Sequence, residues 1–333
     1  MINKVFFLFP GQGAQYPGMA LDLLESCVEI KRLFSLASEI TGKDMEDLLR
    51  NSSAEELKKT DVSQPAITLA NLAAAKYLEI KLFGKEGIKP SGCAGFSLGE
   101  YAALAVAGVI SEEDCFSLVT LRGKAMQTTA DNIKAMTNDA PGMAAVIGLA
   151  PSLVEELITK WKNEAVLNPG TSVPAVNELY AANINSPRQV AVSGSAAALK
   201  EAEKLFKEAG ARRVIPLQVA CPFHSPLMKE AADAFAPALE KVTFKDPVIP
   251  IFSNVTGKQI KSGSEAKALA LRQIAESVRW TEVESSIAQL KPDALFETGP
   301  GNVLEGLWKD TGSQIPCYAA GTVAEIDELF ILP

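Results

Sequence analysis

The feature that most constrains the fold is an uninterrupted apolar run, Val5 to Phe9, that stops at Pro10-Gly11. A strand with one solvated face alternates apolar and polar residues, whereas a strand covered on both faces does not. The run therefore predicts a buried strand of a parallel sheet, and hence an α/β protein. Further along the chain, Ser63 is predicted to cap a long helix that ends near Phe83, with Pro65 close to its first position.

From Met143 onward the pattern changes to short strands and two helices in the order βαββαβ. Strands are predicted at 143–149, 179–184, 189–193 and 213–219, and helices at 151–161 and 196–209. This order is typical of the split βαβ unit of ferredoxin-like folds. We therefore expect a large α/β domain, residues 1–140 and 214–333, interrupted by an α+β insert at residues 141–213. The segment 167–176 is expected to be a loop insertion within it.

Charge and residue content argue against several classes of function. The 333-residue chain has a net charge of −8, whereas nucleic-acid binding needs a basic surface. No run of about 20 apolar residues is present, so no membrane span is expected. The N-terminus lacks the features of a signal peptide, and five scattered cysteines without a C-x-x-C pair predict a reducing cytoplasm. A single histidine argues against a zinc site.

The segment Gly95-Phe96-Ser97-Leu98-Gly99 matches the pattern G-x-S-x-G between a short run of small residues and a helical segment. In a sharp strand-to-helix turn of this kind, the glycines allow close backbone passage and the serine hydroxyl projects above the sheet. The following helix directs free N–H groups toward developing negative charge. Ser97 is therefore a candidate nucleophile, although a Gly-rich turn with a serine helix cap has the same pattern.

The one histidine of the chain, His224, is the only conventional base available to such a serine. It lies in Cys221-Pro222-Phe223-His224-Ser225-Pro226, where two prolines stiffen a loop. Loops held on a rigid scaffold often carry catalytic groups. A surface histidine in a turn is the alternative interpretation.

A charged residue, Arg122, lies on the apolar face of a predicted helix, where a charge needs a partner. Residues 118, 121, 125 and 126 share that face at helical spacing. Two interpretations stay open. Arg122 could form a structural ion pair with a core acid, or it could bind a carboxylate-bearing substrate through two parallel N–H···O bonds.

The loop Pro10-Gly11-Gln12-Gly13 follows the first predicted strand. Because parallel-sheet proteins bind ligands at the carboxyl ends of their strands, this loop could bring a backbone N–H beside Ser97. It could also be a simple tight turn. It is not a phosphate-binding P-loop, since G-x-x-x-x-G-K-[ST] is absent.

Six segments, in order along nearly the whole chain, resemble the malonyl-CoA:acyl-carrier-protein transacylase family and the related acyltransferase domains of polyketide synthases. They are Phe9-Pro10-Gly11-Gln12-Gly13-Ala14-Gln15, Gly95-Phe96-Ser97-Leu98-Gly99-Glu100-Tyr101, Leu121-Arg122-Gly123-Lys124-Ala125-Met126-Gln127, Asn183-Ile184-Asn185-Ser186-Pro187, Phe223-His224-Ser225-Pro226-Leu227-Met228 and Gly299-Pro300-Gly301. One such motif would be weak evidence, but six in the family's order are specific. The resemblance implies a hydrolase-like α/β core with an inserted ferredoxin-like subdomain.

The resemblance also implies catalytic roles. Ser97 would carry the acyl group, and His224 would be its base, oriented by the backbone carbonyl of Gln273. The backbone N–H groups of Gln12 and Leu98 would form the oxyanion hole.

For the acyl pocket, the resemblance implies that Arg122 binds the malonyl carboxylate and that Asn183 and Asn185 line the pocket. Phe96 departs from the family, which usually has histidine at this position, so the wall beside the nucleophile is more apolar than usual. Phe223 is similar to malonyl-selective polyketide acyltransferases, which favours malonyl over methylmalonyl.

The implied reaction is ping-pong transfer of a malonyl group from malonyl-CoA to the phosphopantetheine thiol of acyl carrier protein, for fatty acid or polyketide synthesis. No metal or redox cofactor is expected. The alternatives are a polyketide acyltransferase acting in trans, an acyl hydrolase of the same fold, and a non-catalytic scaffold that binds carrier proteins.

We expect a cytoplasmic monomer that binds malonyl-CoA and acyl carrier protein, and neither nucleic acid nor membrane. Carrier proteins are typically acidic, so docking would need a local basic patch. The candidates, which could equally be solvated charges, are Lys58-Lys59, Arg188 and Arg212-Arg213.

Overall fold

The computed structural model describes residues 4–83, 90–137, 140–167, 178–219 and 221–329. Within these ranges the chain forms two β-sheets with helices packed against them. The strands are β1 (Val5–Phe9), β2 (Gly92–Gly95), β3 (Gly142–Ile147), β4 (Leu179–Ser186), β5 (Gln189–Gly194), β6 (Arg213–Pro216), β7 (Ile251–Phe252), β8 (Ala294–Glu297) and β9 (Cys317–Ala319).

The α-helices of the described ranges lie between or after these strands, four of them between β1 and β2. They are α1 (Leu21–Leu24), α2 (Val28–Thr41), α3 (Met45–Asn51), α4 (Thr60–Phe83), α5 (Gly99–Val106), α6 (Glu112–Thr137), α7 (Pro151–Leu167), α8 (Ala196–Glu208), α9 (Lys229–Lys241), α10 (Gly263–Arg272), α11 (Trp280–Leu290), α12 (Val303–Asp310) and α13 (Val323–Glu328). Two short 3-10 helices cover Glu56–Lys58 and Pro226–Met228. No helix in the described ranges is both long and apolar enough to cross a membrane.

The larger sheet is parallel, in the order β7-β2-β1-β8-β9, which confirms the predicted fold class. All five residues of β1 are buried because this central strand is covered on both faces. Val5, Phe7 and Phe9 pack into one apolar cluster, and Phe6 and Leu8 pack into another. This is the reason that the strand has no polar alternation.

The carboxyl ends of the central strands lie level with one another. Phe9 at the end of β1 pairs with Gly95 at the end of β2, and Leu8 pairs with Glu297 at the end of β8. The loops that follow these strands therefore meet at one edge of the sheet, where α/β proteins bind their ligands.

The long helix α4 begins at Thr60, so the prediction that Ser63 caps it is wrong. The cause is a contact distant in sequence: the Thr60 N–H donates to Oε1 of Gln127 on α6, at 3.2 Å. This side chain satisfies a free N–H at the helix start. Pro65 consequently lies inside the helix and not at its first position.

The smaller sheet is antiparallel, in the order β4-β5-β3-β6, and is formed by the predicted βαββαβ segment. This is the ferredoxin-like arrangement expected for the insert. Its last strand, β6, continues past residue 213 to Pro216, so we propose that the insert extends from residue 141 to 216. Of the predicted loop insertion, Leu167 ends α7 and residues 168–176 lie outside the described residues.

Backbone hydrogen bonds connect β4 of the insert to the large domain. The Ile184 N–H donates to the carbonyl of Val278, and the Val278 N–H donates to the carbonyl of Ala182, each at 2.8 Å. Val278 is five residues beyond Gln273, which caps the C-terminus of α10. The insert therefore packs against the segment that leads away from a predicted site residue.

Candidate active site

Ser97 lies in a tight turn between β2 and α5, and its backbone has φ = 51°. A Cβ atom on Gly95 would lie 1.9 Å from the Gly99 carbonyl carbon, and one on Gly99 would lie 2.0 Å from the Phe9 carbonyl oxygen. Both distances are far below contact, so the turn requires glycine at both positions. The turn thus has the strained strand-to-helix geometry that G-x-S-x-G predicts.

Two residues to which the sequence analysis assigned no role hold this turn in place. The Ser97 N–H donates to Oδ1 of Asn254, whose Nδ2 donates to the Gly95 carbonyl at 2.7 Å. The Asn254 N–H in turn donates to Oε2 of Glu100 at 2.8 Å. The available signals were a polar residue just after a short strand and an acid within an apolar helix.

Ser97 and His224 are hydrogen-bonded, with 2.7 Å between Oγ and Nε2. The other ring nitrogen, Nδ1, lies 2.8 Å from the backbone carbonyl oxygen of Gln273. Because a carbonyl can only accept, Nδ1 must carry the proton, and Nε2 then presents its lone pair to the serine hydroxyl. This is the geometry of a serine with its general base.

His224 is neutral in this environment. The side chain is only 3% exposed, and burial lowers its pKa to about 4, with the positive charge of Arg122 acting in the same direction. The hydrogen bond to Gln273 opposes this shift in pKa but does not outweigh it. A base that is unprotonated at neutral pH can accept the serine proton.

Arg122 is 1% exposed and lies on α6. Its Nη2 donates to Oε1 of Gln273 at 3.2 Å, and its guanidinium lies 5.5 Å from the centroid of the Tyr101 ring. Within the described residues it forms no ion pair with a carboxylate, and its Nε has no hydrogen-bond partner. The structural ion pair between Arg122 and a core acid, which the sequence analysis left open, is therefore not formed among the described residues.

Glu100 is a buried acid at the start of α5, and burial raises its pKa to about 7. The N–H of Asn254, the side chain of Gln273 and the charge of Arg122 all act to lower that pKa, but they do not offset burial. The carboxyl group therefore changes charge near neutral pH, close to the nucleophile turn.

The loop after β1 packs directly on the nucleophile turn. A Cβ on Gly11 would lie 2.4 Å from the Phe96 carbonyl oxygen, so only glycine permits this approach. Gln12 follows at once, and its side chain donates to Oγ1 of Thr60 at 3.5 Å. In the part of the chain that the structure describes, neither the Gln12 N–H nor the Leu98 N–H has an acceptor.

Of the remaining predicted pocket residues, Asn183, Asn185 and Phe223 are buried and Phe96 is half-buried, and in the described structure none of their side chains is hydrogen-bonded to Ser97 or His224. Asn183 and Asn185 are two residues apart on β4, and their side-chain oxygens have no partner among the described residues. Phe223 packs in the main core beside the base, with 8% of its surface exposed. The half-buried ring of Phe96 packs edge-on against Trp280, with 5.3 Å between centroids.

Metal ligands are not grouped in the described ranges: no three side chains of His, Cys, Asp or Glu are placed to hold an ion. The cysteines are not joined by disulfides within the described residues. What the residues do assemble is a serine, a neutral histidine and a buried guanidinium, connected through Gln273.

Comparison with known proteins gives one consistent result. The family model described as "Acyl transferase domain" matches residues 6–332. The malonyl CoA-acyl carrier protein transacylase of Haemophilus influenzae is 37% identical over 326 residues, covering 98% of each chain.

Solved structures agree with the sequence comparison. An acyl carrier protein S-malonyltransferase from Vibrio cholerae is 36% identical with a TM-score of 0.85, covering 98% of this chain and 100% of that one. A malonyl-transacylase solved with a type II polyketide synthase acyl-carrier protein is 34% identical with a TM-score of 0.86, covering 98% of both chains. The chain therefore belongs to the malonyl CoA-acyl carrier protein transacylase family of acyl transferase domains.

Proposed function

We propose that this chain transfers a malonyl group from malonyl-CoA to the phosphopantetheine thiol of an acyl carrier protein, through an ester on Ser97. The proposal rests on one observation: Ser97 is hydrogen-bonded to the neutral His224. Beside this pair lies the buried Arg122, which has no carboxylate partner in the described residues. Family membership supplies the substrate class.

In the first half-reaction, His224 accepts the proton of Ser97 as Oγ forms a bond to the thioester carbon. The tetrahedral intermediate collapses with cleavage of the C–S bond, and protonated His224 gives its proton to the coenzyme A sulfur. In the second half-reaction, His224 accepts the proton of the carrier thiol, whose sulfur attacks the ester. Oγ leaves and takes the proton back from His224.

The backbone N–H groups of Gln12 and Leu98 are proposed to hold the oxyanion. This role is supported by their lack of an acceptor in the described residues and by the contact of Gly11 with the nucleophile turn. Preorganised donors of this kind are each worth about 3–4 kcal/mol of barrier.

Arg122 is proposed to bind the malonyl carboxylate, with the unpaired amide oxygens of Asn183 and Asn185 lining the same pocket. The rings of Phe96 and Phe223 would form apolar walls that suit an unbranched acyl chain. The chemistry needs only proton transfer and acyl exchange, so the proposal includes no cofactor.

The test is incubation with malonyl-CoA labelled in the malonyl group, followed by mass spectrometry of the Ser97 peptide. We expect a stable malonyl adduct on Ser97, and Ser97→Ala should lose the adduct while still binding malonyl-CoA. Rapid release of free malonate would indicate a hydrolase, and absence of label would indicate a scaffold. An adduct on a cysteine or lysine with Ser97 unmodified would falsify the assignment of the nucleophile.

Docking of the carrier protein is proposed at basic residues that line two clefts. A cleft of about 520 Å³ is lined by Lys58, Lys59 and Thr60, and Thr60 also contacts Gln12. A second, of about 420 Å³, is lined by Arg188 and Arg212. Lys58 is paired with Glu55 at 3.1 Å, whereas the other basic candidates have no ion pair within the described residues.

Charge reversal separates docking from chemistry. Lys59→Glu and Arg212→Glu should raise KM for the carrier protein, more strongly at low salt, and should leave adduct formation at Ser97 unchanged. Lys241→Glu is the matched control because this exposed lysine lines neither cleft. If all three variants behave alike, these clefts are not the docking surface.

The pathway is proposed to be fatty acid synthesis, in line with the transacylase relatives. A polyketide acyltransferase acting in trans is the second candidate, because one similar structure is bound to a polyketide carrier protein. Comparing kcat/KM for fatty-acid and polyketide carrier proteins distinguishes the two.

A further inference from the structure

The side-chain amide of Gln273 connects the two functional parts of the site. Its Oε1 accepts from Nη2 of Arg122 at 3.2 Å, and its Nε2 donates to the backbone carbonyl of Ser97 at 3.0 Å. The residue is 1% exposed, so water does not compete for these bonds. The resemblance assigned a role only to the backbone carbonyl of Gln273, which orients His224.

The chemistry of the neighbours fixes the orientation of this amide. A guanidinium can only donate hydrogen bonds and a carbonyl oxygen can only accept them. The amide oxygen must therefore face Arg122 and the amide nitrogen must face Ser97, because a flipped amide would break both bonds. Gln273 is consequently a spacer of fixed length and polarity between the two residues, and its side chain also hydrogen-bonds the buried carboxyl group of Glu100.

This spacer has a large influence on Arg122 because the guanidinium has few other partners. Its other described partner is Tyr101, whose ring faces the guanidinium and whose side chain also hydrogen-bonds it. Nε has no partner in the described residues, and Nη2 carries a second hydrogen. The guanidinium is thus held by Gln273 and Tyr101, while donors remain for a carboxylate.

The length of the acyl group explains why such a spacer would matter. In a malonyl thioester, a single methylene separates the carboxylate from the carbonyl that Ser97 must attack. A carboxylate held by Arg122 therefore places that carbonyl correctly only if the guanidinium and Oγ of Ser97 keep one separation. An error of about 1 Å at a reacting centre can reduce the rate by about 100-fold.

We propose that the side-chain amide of Gln273 is a positioning residue that sets the separation between Arg122 and Ser97, and thereby selects the three-carbon malonyl group. The inference rests on the proposed carboxylate-binding role of Arg122. It concerns the side chain alone, since the backbone carbonyl orients His224 in every variant.

The test compares malonyl and acetyl transfer by wild type, Gln273→Met and Gln273→Asn. Methionine fills a similar volume without an amide, and asparagine keeps the amide but is one methylene too short to reach both partners. For both variants we expect kcat/KM for malonyl to fall by about 10- to 100-fold, mainly through KM. Acetyl transfer loses only the bond from Gln273 to the Ser97 carbonyl and should fall by a smaller factor, so the readout is a fall in the ratio of malonyl to acetyl kcat/KM.

Gln273→Glu is a further variant with a distinct expected outcome. Its carboxylate would pair with Arg122 and compete with the malonyl carboxylate, so KM for malonyl should rise above that of Gln273→Met. Acetyl transfer should fall less than malonyl transfer, although the carboxylate can no longer donate to the Ser97 carbonyl.

The control is the same substitution in an Arg122→Ala background. There, Gln273→Met should leave the ratio of malonyl to acetyl transfer unchanged, because no guanidinium remains to be positioned. The inference is wrong if Gln273→Met lowers both transfers in parallel, or if the ratio still changes without Arg122. Failure of the proposed function is distinguishable, because wild type itself would then not form the Ser97 adduct.

Discussion

Acylation of Ser97 should continue almost undiminished when the pH is lowered from 8 to 5. Burial lowers the pKa of His224 to about 4, whereas an ordinary histidine has a pKa near 6.5. At pH 5 a base with the lower pKa is about 90% neutral, and an ordinary one is about 3% neutral. Because only the neutral form accepts the serine proton, the fraction of histidine able to act as the base differs by about 30-fold between the two cases at pH 5.

The assay is single-turnover acylation from acetyl-CoA between pH 4.5 and 8, quenched and quantified as the adduct on the Ser97 peptide. Acetyl is chosen because it carries no carboxylate that titrates in this range. We expect a flat profile that falls only as the pH approaches about 4.

Glu100→Gln is the matched control, since burial raises the pKa of Glu100 to about 7 and its ionisation lies in the same window. If the pH profile of the acylation rate shows an inflection near neutral pH that disappears in Glu100→Gln, ionisation of Glu100 causes that inflection. A 30-fold fall between pH 8 and pH 5 that persists in Glu100→Gln would refute the argument that burial keeps His224 neutral.

The same shift in pKa has a consequence for folding. The unfolded chain binds a proton at His224 as the pH falls below about 6.5, whereas the folded chain does so only near pH 4. The free energy of unfolding should therefore decrease as the pH falls from about 6.5 to about 4. At higher pH, His224 should not affect it.

Three further predictions concern selectivity, the nucleophile turn and a buried acid. Arg122→Ala should lower malonyl kcat/KM by about 10²–10³-fold and acetyl kcat/KM much less, since losing one partner of a buried ion pair costs about 3–5 kcal/mol. Arg122→Lys should restore little, and a parallel decline for both substrates would make Arg122 structural. Gly99→Ala should abolish acylation and lower the free energy of unfolding in urea by about 1–3 kcal/mol. The reason is that its Cβ would lie 2.0 Å from the Phe9 carbonyl oxygen. A variant that is active and equally stable would contradict the turn geometry. Burial raises the pKa of Glu284 to about 8, so its contribution to stability is lost as the pH rises from about 4.5 to 8. Glu284→Gln should therefore raise Tm more at pH 8.5 than at pH 5.5, and an equal change at both pH values would count against this titration.

Features that depend on neighbours in sequence were predictable. The run Val5–Phe9 predicted a two-sided buried strand because each face of β1 packs in its own apolar cluster. The periodicity after Met143 predicted the antiparallel sheet because hydrophobic spacing reports local burial.

Features that depend on contacts distant in sequence were not predictable. Asn254 meets Glu100 across 154 residues and Ser97 across 157 residues, and nothing local to Asn254 indicates either partner. The start of α4 was misplaced for the same reason, since the acceptor for its first N–H comes from Gln127 on another helix.

Backbone strain at the two reacting residues was predictable from the sequence in one case and not in the other. Ser97 and His224 have φ values of 51° and 54°. Residues other than glycine rarely adopt this backbone conformation, which costs about 1–3 kcal/mol per residue. The strain at Ser97 was predictable from its flanking glycines, which mark a turn. The strain at His224 was not, because its flanking prolines predict only stiffness. It persists because the imidazole is held at both nitrogens, by Ser97 and by Gln273, so the hydrogen bonds that define the base also hold the backbone that presents it.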